Sequence, residues 1–314
     1  MKKILLLIMI ALTLVGCTNK DNKDITILVP NGIPLIALGD LVEEYKIDTV
    51  VGPELLTAGL ISKSHDIIIA PLNLGAKLYL NNSSSYKLAA IITFGNTYLV
   101  SRKTTPLQSI NDIDDEEILA YGRNAVPDII LKKAINNLNI NVQINYQNGI
   151  DEIIPLFVAN PNNPNDYLDT TPKYILAAEP YITKLELDYK MELNILDLQT
   201  VLKQNQIPQA AIFINPESNH YDSLKYVLRE IENNIQYLNN NPKKYANKII
   251  SKHQYFEKLG TTTIEHSIPR SNINYLAASE NINICEDFFK MLNEYNPNLL
   301  GGLIPDQEFY EKKL

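Results

Sequence analysis

Short apolar runs rich in β-branched residues alternate with helix-patterned segments of about ten residues, and this alternation limits the fold more than any other feature. Residues 25–30 (Ile25-Thr26-Ile27-Leu28-Val29-Pro30) form a strand-like run halted by Pro30 and the Asn31-Gly32 turn signal. Residues 34–45 put Leu35, Leu38, Leu41, Val42 and Tyr45 on one helical face, with Pro34 at the start. Thr49-Val50-Val51 reads as strand, 53–61 as helix, 66–71 as a fully buried strand and 72–80 as the next helix. Strands alternating with helices of this length predict βαβ units and a parallel sheet covered on both faces.

The second stretch repeats this logic. Residues 117–121, 142–146, 174–178 and 193–198 read as strands; 126–138 and 150–158 read as helices, and Glu179-Pro180-Tyr181 opens another. Residues 50–71 and 144–180 share the order strand, helix, strand, then Ala-Pro or Ala-Glu-Pro, which points to two lobes of similar build. Two further strand-like runs, 96–101 and 208–214, fall where the chain would leave the first lobe and return to it. The tail (221–237, 242–250, 273–295) reads as helical and would pack back on the first lobe. Residues 160–172, rich in Asn, Pro and Asp, read as a surface loop.

Composition narrows the class. Of 314 residues, 45% are hydrophobic and 20% charged, the profile of a globular chain with a real core. A net charge of -8, with no basic stripe, argues against nucleic acid as a partner. The four histidines, His65, His220, His253 and His266, have no ligand spacing, so no metal or cofactor is expected. No phosphate loop, nucleophile elbow or zincin helix motif occurs. Cys285, at helical spacing among apolar residues, reads as core.

Candidate binding residues lie where strands hand over to helices, since helix starts present free N–H groups and partial positive charge. They are Asn31, Gly32, Ile33, Asn73, Thr93, Phe94, Asn96, Arg123, Asn124, Ala125, Glu179 and Tyr181. A guanidinium at Arg123 suits a carboxylate, sulfonate or phosphonate; its other reading is a solvated surface arginine. Glu179 could accept hydrogen bonds from an amine or ring N–H, or simply suit a helix dipole. Phe94, Tyr98 and Tyr181 could stack on a ring or belong to the core.

At the N-terminus, Lys2 and Lys3 precede an apolar run, residues 4–14, too short to span a bilayer. Leu14-Val15-Gly16-Cys17 resembles a bacterial lipobox, which implies cleavage before Cys17 and its lipidation. Residues 1–16 are then a signal peptide and 17–24 a lipidated tether, with the protein outside the cytoplasm and lipid-anchored to the cell membrane.

Longer patterns carry a second resemblance. They include Val29-Pro30-Asn31-Gly32-Ile33-Pro34, Asp66-Ile67-Ile68-Ile69-Ala70-Pro71-Leu72-Asn73, Phe94-Gly95-Asn96-Thr97-Tyr98-Leu99-Val100, Val126-Pro127-Asp128, Ala178-Glu179-Pro180-Tyr181 and Leu303-Ile304-Pro305-Asp306-Gln307. Together they resemble extracytoplasmic solute-binding proteins of ABC transporters, in the sulfonate/nitrate/taurine and thiamine-precursor-like group. The resemblance implies an α/β periplasmic-binding-protein type II fold: two lobes with mixed, mainly parallel sheets, joined by a two-strand hinge. Lobe I would comprise 25–100 and 210–314, and lobe II 101–209. The chain departs from the group in its long 160–172 segment and lacks the Cys-rich motif of eukaryotic-type thiamine pyrimidine proteins.

The implied function is a monomeric receptor. It would capture a sulfonate-like anion or an aminated heterocycle between the lobes and deliver it to an ABC permease and its ATPase. An enzyme on the same fold, of the menaquinone-pathway dehydratase or thiamine-pyrimidine type, is the alternative, and an adhesive lipoprotein the third. A receptor needs no covalent chemistry, in keeping with the missing catalytic motifs.

Overall fold

In the computed structural model, the described residues are 24–136, 138, 140–159, 171–204 and 206–314. The signal segment, Cys17 and most of the 160–172 loop lie outside them. Strands gather into a six-stranded and a five-stranded sheet, one per lobe, so the expected two-lobed α/β architecture is what the chain adopts.

The first sheet begins with β1 (Thr26–Pro30), α1 (Ile33–Ala37), β2 (Lys46–Val50), α2 (Pro53–Ser62), β3 (Ile67–Pro71), α3 (Leu72–Leu80) and β4 (Lys87–Thr93). The chain then enters the second sheet as β5 (Tyr98–Arg102). It continues through β6 (Glu116–Tyr121), α4 (Val126–Asn136), β7 (Val142–Gln147), α5 (Ile150–Val158), β8 (Tyr174–Ala177), α6 (Tyr181–Leu187), β9 (Leu193–Asp197) and α7 (Leu198–Val201). It returns to the first sheet as β10 (Ala210–Ile214). Helices α8 (Tyr221–Asn240), α9 (Pro242–Ile249), α10 (Gln254–Leu259) and α11 (Thr261–Ser267) follow, then strand β11 (Ile273–Ala277) and helix α12 (Ile282–Tyr295).

Sheet orders are β11-β4-β10-β3-β1-β2 and β7-β6-β8-β5-β9. Segments β1-α1-β2-α2-β3 and β6-α4-β7-α5-β8 thus share one plan. In each, the first strand lies between the second and third, with parallel pairing. The faint internal likeness of residues 50–71 and 144–180 is this plan. All other pairings are antiparallel, more than βαβ units alone would give. Four of these involve β5 or β10, which enter their sheets directly from the opposite lobe; the fifth is the edge strand β11 on β4.

Strand β3 shows why the first sheet is buried on both faces. Ile68 and Ala70 pack on Leu56, Leu60, Leu72 and Ala76 of α2 and α3. Ile67 and Ile69 pack in the other core, with Leu224, Val227 and Ile231 of α8. Each of the isoleucine, leucine and valine side chains among them, removed from water, contributes about 1.5–3 kcal/mol.

Two expectations need correction. The helix over 34–45 ends at Ala37, and Gly39–Leu41 tightens into a 3-10 turn, because Gly39 and Asp40 are weak helix formers. Residues 87–93 add the apolar strand β4, an element beyond the predicted pattern. Residues 273–277 are not helical: β11 pairs antiparallel with β4 as an edge strand, and ladder bonds outweigh the local helical spacing. The helix begins only at Ile282.

The two crossing segments run side by side. Phe94 bridges Pro208, Gly95 N–H donates to the Ile207 carbonyl at 2.8 Å, and Gln209 N–H donates to the Thr93 carbonyl at 2.9 Å. Among the described residues, no helix is long and apolar enough to cross a membrane.

Candidate functional site

A cavity of about 530 Å³ lies between the sheets, where the carboxyl ends of β1, β2 and β3 face the start of α4. From the first lobe it is lined by Pro30, Asn31, Gly32, Ile33, Pro34, Pro53, Pro71, Asn73, Leu74 and Thr93. Asn96, Ala125, Val126, Pro127 and Glu179 face them, and Gln209, Ala210 and Phe288 complete the wall. Five of these residues are prolines, each at a strand end or in the first turn of a helix. A proline there fixes the backbone and offers apolar surface without a donor of its own.

Polar groups reach the cavity from helix starts. Leu72 N–H is used by the Gln209 carbonyl at 2.8 Å. The next N–H groups, at Asn73 and Leu74, precede the ladder of α3, and both residues line the cavity. Helix α4 opens on the same space from the other lobe, so two helix N-termini add partial positive charge. The Asn31 backbone N–H donates to the Val50 carbonyl at 2.9 Å. Its side-chain oxygen Oδ1 is buried and has no hydrogen-bond partner. A buried acceptor left unpaired costs about 1–3 kcal/mol.

Glu179 is the ionisable side chain among the lining residues. Its carboxylate is fully buried: Oε1 accepts from Arg270 Nε at 2.5 Å, and Oε2 accepts from Thr183 N–H at 3.1 Å. Burial pushes the carboxyl up from its usual range, against the pull of Arg270 and Thr183. The Glu179 main chain is clamped by Asn96, whose Oδ1 accepts Glu179 N–H at 2.7 Å while its Nδ2 donates to the Glu179 carbonyl at 3.1 Å. Glu179 is therefore a fixed wall with a partner inside the chain. It is not the open acceptor expected for an amine.

Of the other expected residues, Asn31, Gly32, Ile33, Asn73, Thr93, Asn96 and Ala125 line the cavity. Phe94 does not; it is 2% exposed and packed in the crossing. Arg123 is exposed, and its guanidinium lies 5.3 Å from the Tyr146 ring centroid. Asn124 has φ 61° and turns its carbonyl to Asn296 Nδ2 at 2.8 Å. Tyr181 packs against the core of the second lobe. Gln209, Phe288 and Val126 were not anticipated: Gln209 and Phe288 come from the returning segment and the tail, far in sequence from any strand-to-helix handover.

Among the described residues, no group of three or more His, Cys, Asp and Glu side chains could hold a metal ion. A chain of hydrogen bonds does join Ser64, His65 and Asp48, but none of the three lines the cavity.

No family model and no curated protein matches the sequence. Solved structures do. An ABC transporter from Parabacteroides distasonis is similar over 93% of this chain and 100% of its own, at 24% identity and TM-score 0.76. The periplasmic aliphatic sulphonate binding protein SsuA from Escherichia coli is similar over 93% and 95%, at 11% identity and TM-score 0.66. A Candida albicans protein described as having the generic periplasmic binding protein structural fold is similar over 91% and 92%, at 11% identity and TM-score 0.52. The chain has the periplasmic-binding-protein fold. Within that fold the cavity lies between two lobes joined by paired crossings, the place where a periplasmic binding protein can enclose a molecule by hinge motion. The alkanesulfonate-binding protein SsuA from Xanthomonas axonopodis pv. citri, bound to MOPS, is a further neighbour, similar over 88% of this chain and 94% of its own at 12% identity and TM-score 0.58.

Proposed function

We propose that the protein is the solute-binding receptor of an ABC importer, held outside the cytoplasm by a lipid on Cys17. The observation that carries this reading is the interlobe cavity, lined from both lobes beside the starts of α3 and α4. The cavity offers backbone donors at one end, polar side chains of Asn73, Thr93, Asn96 and Gln209 along its wall, and apolar surface from its prolines, Ile33, Leu74, Val126 and Phe288. That set favours a small organic anion carrying a hydroxyl or amine, with its charged end at the helix starts and its body against the prolines. Helix termini supply about 0.3–1 kcal/mol each at exposed sites and up to about 2 when partly buried, enough to orient an anion without a fixed cation. The aminated heterocycle is disfavoured, because the carboxylate that would receive it is held by Arg270.

Binding adds contacts from the second lobe and so shifts the protein towards its closed form, which is the form a permease would recognise. The neighbours described as an ABC transporter and as sulphonate-binding proteins support this reading, as does the lipobox-like Leu14-Val15-Gly16-Cys17.

Native mass spectrometry of the purified Cys17→Ser chain tests it, followed by thermal denaturation with whatever solute is released. A receptor carries a small anion that raises the melting temperature and is recovered unchanged. Recovery of a chemically altered molecule would instead establish the enzyme reading.

A further inference from the structure

The turn Ile268–Arg270 and the residues after it lead into β11 of the first lobe, yet Arg270 makes its polar contacts with the second. Its Nε donates to Glu179 Oε1 at 2.5 Å, its Nη1 to Glu186 Oε1 at 3.3 Å and its Nη2 to Thr183 Oγ1 at 3.1 Å. Nη2 also reaches Glu186 Oε2. These acceptors are Glu179, on the lead-in to α6, and two residues of α6 itself. The Arg270 carbonyl accepts from the Tyr98 hydroxyl of β5 at 2.5 Å, and Asn272 Nδ2 donates to the same hydroxyl at 3.3 Å. Phe94 N–H, on the first crossing, donates to the Asn272 carbonyl at 3.1 Å.

One turn of the first lobe is thus held by four residues of the second, Glu179, Thr183, Glu186 and Tyr98, next to the place where the chain crosses. Glu179 belongs to both this cluster and the cavity wall. Its side chain is fully buried, and its counter-charge comes from the opposite lobe. A change in lobe angle that separates Arg270 from Glu179 leaves a buried carboxylate without its cation, which is costly. A guanidinium suits the task, because its planar fork serves several acceptors at once where an ammonium serves as a point charge.

We propose that Arg270 is a positioning residue of the cavity: a non-covalent strut beside the two covalent crossings that sets the resting angle between the lobes. Through Glu179 it also fixes one wall of the cavity, and only this second half rests on the receptor reading.

The test needs no solute. Small-angle scattering and amide hydrogen exchange are recorded on the full chain carrying Cys17→Ser, with and without Arg270→Met, which keeps the apolar stem and removes the fork. The strut predicts a larger radius of gyration and a longer tail in the distance distribution. Amides of α6 should exchange about tenfold faster or more, the scale of one lost charged hydrogen bond. Glu186→Gln, which alters only a partly exposed partner, should move both readouts the same way by less, and Arg270→Lys should fall between. Superimposable scattering curves with unchanged exchange in α6 would overturn the proposal. Should Arg270→Met not fold, Glu186→Gln and Arg270→Lys decide by the same two readouts. Because solute binding is never measured, a negative result leaves the receptor reading standing, and a cavity that binds nothing leaves the strut standing.

Discussion

Asp128 Oδ2 accepts the backbone N–H of Asn124 at 2.7 Å, and this bond shapes the loop that leads into α4. The same carboxylate accepts from Lys132 Nζ at 2.7 Å and, through Oδ1, from the Tyr146 hydroxyl at 2.6 Å, with Asp128 itself 0% exposed. Asn124 is thereby held at positive φ, and Ala125 is delivered to the cavity. Asp128→Ala removes an acceptor that three donors share. It should lower stability by about 2–3 kcal/mol, the Lys132 part being small because that side chain is over a third exposed. The urea midpoint and the affinity for the released solute should fall together.

Asn31 predicts effects of opposite sign. Its unpaired buried oxygen burdens the empty protein. Asn31→Ala should leave the solute-free melting temperature unchanged or raise it, by up to about 1 kcal/mol of stability, while weakening solute binding by about 1 kcal/mol or more. Parallel calorimetric titration and thermal denaturation check both. A loss of stability and of affinity together would mark Asn31 as structural only.

Arg123→Ala should do little to solute binding, within about 0.5 kcal/mol, since the guanidinium stacks on Tyr146 outside the cavity. Calorimetric titration with the released solute is the check.

Gly95 sits on the first crossing at φ 56°, and a Cβ built there falls 1.9 Å from Gln199 Cδ. The Gln199 side chain has little freedom to retreat, because its Oε1 accepts Ile207 N–H at 3.1 Å. Gly95→Ala therefore combines a left-handed conformation with overpacking between the two crossings. A cost of about 2–4 kcal/mol follows, read from the denaturation midpoint.

The pH dependence carries a sign as well. His253 caps α10 by accepting Tyr255 N–H on Nδ1 at 3.1 Å, which requires that nitrogen unprotonated. Burial lowers its pKa from 6.5. A group whose folded pKa is depressed adds stability above its unfolded value and loses it as the pH falls through that value towards the folded one. Melting temperature should thus decline below about pH 6.5. His253→Asn, which keeps a capping side chain, should flatten that part of the profile.

Much of the architecture was legible because its punctuation is local. Pro30, Pro53 and Pro71 end strands or open helices in the sequence as they do in the fold, and α3 and α5 have the bounds their spacing predicts. What was lost depends on partners distant in the chain. β11 is a strand because β4 lies beside it; its residues carry no alternation strong enough to say so. Of the residues the helix-start rule selects, Asn31, Asn73 and Ala125 line the cavity, whereas Arg123 lies against Tyr146 beyond the turn at Gly122 and Asn124. Glu179 lines the cavity, but its partner Arg270 stands 91 residues later. No single-sequence signal links those two.

The central position of β10 bears on biogenesis. It is hydrogen-bonded between β3 and β4, yet it is made only after the whole five-stranded sheet. Until residue 210 emerges, β3 and β4 have no common neighbour and expose apolar edges, whereas the second lobe can already close on itself. A nascent or truncated chain that stops short of Ile214 is therefore a candidate for aggregation through those edges rather than a shorter working protein.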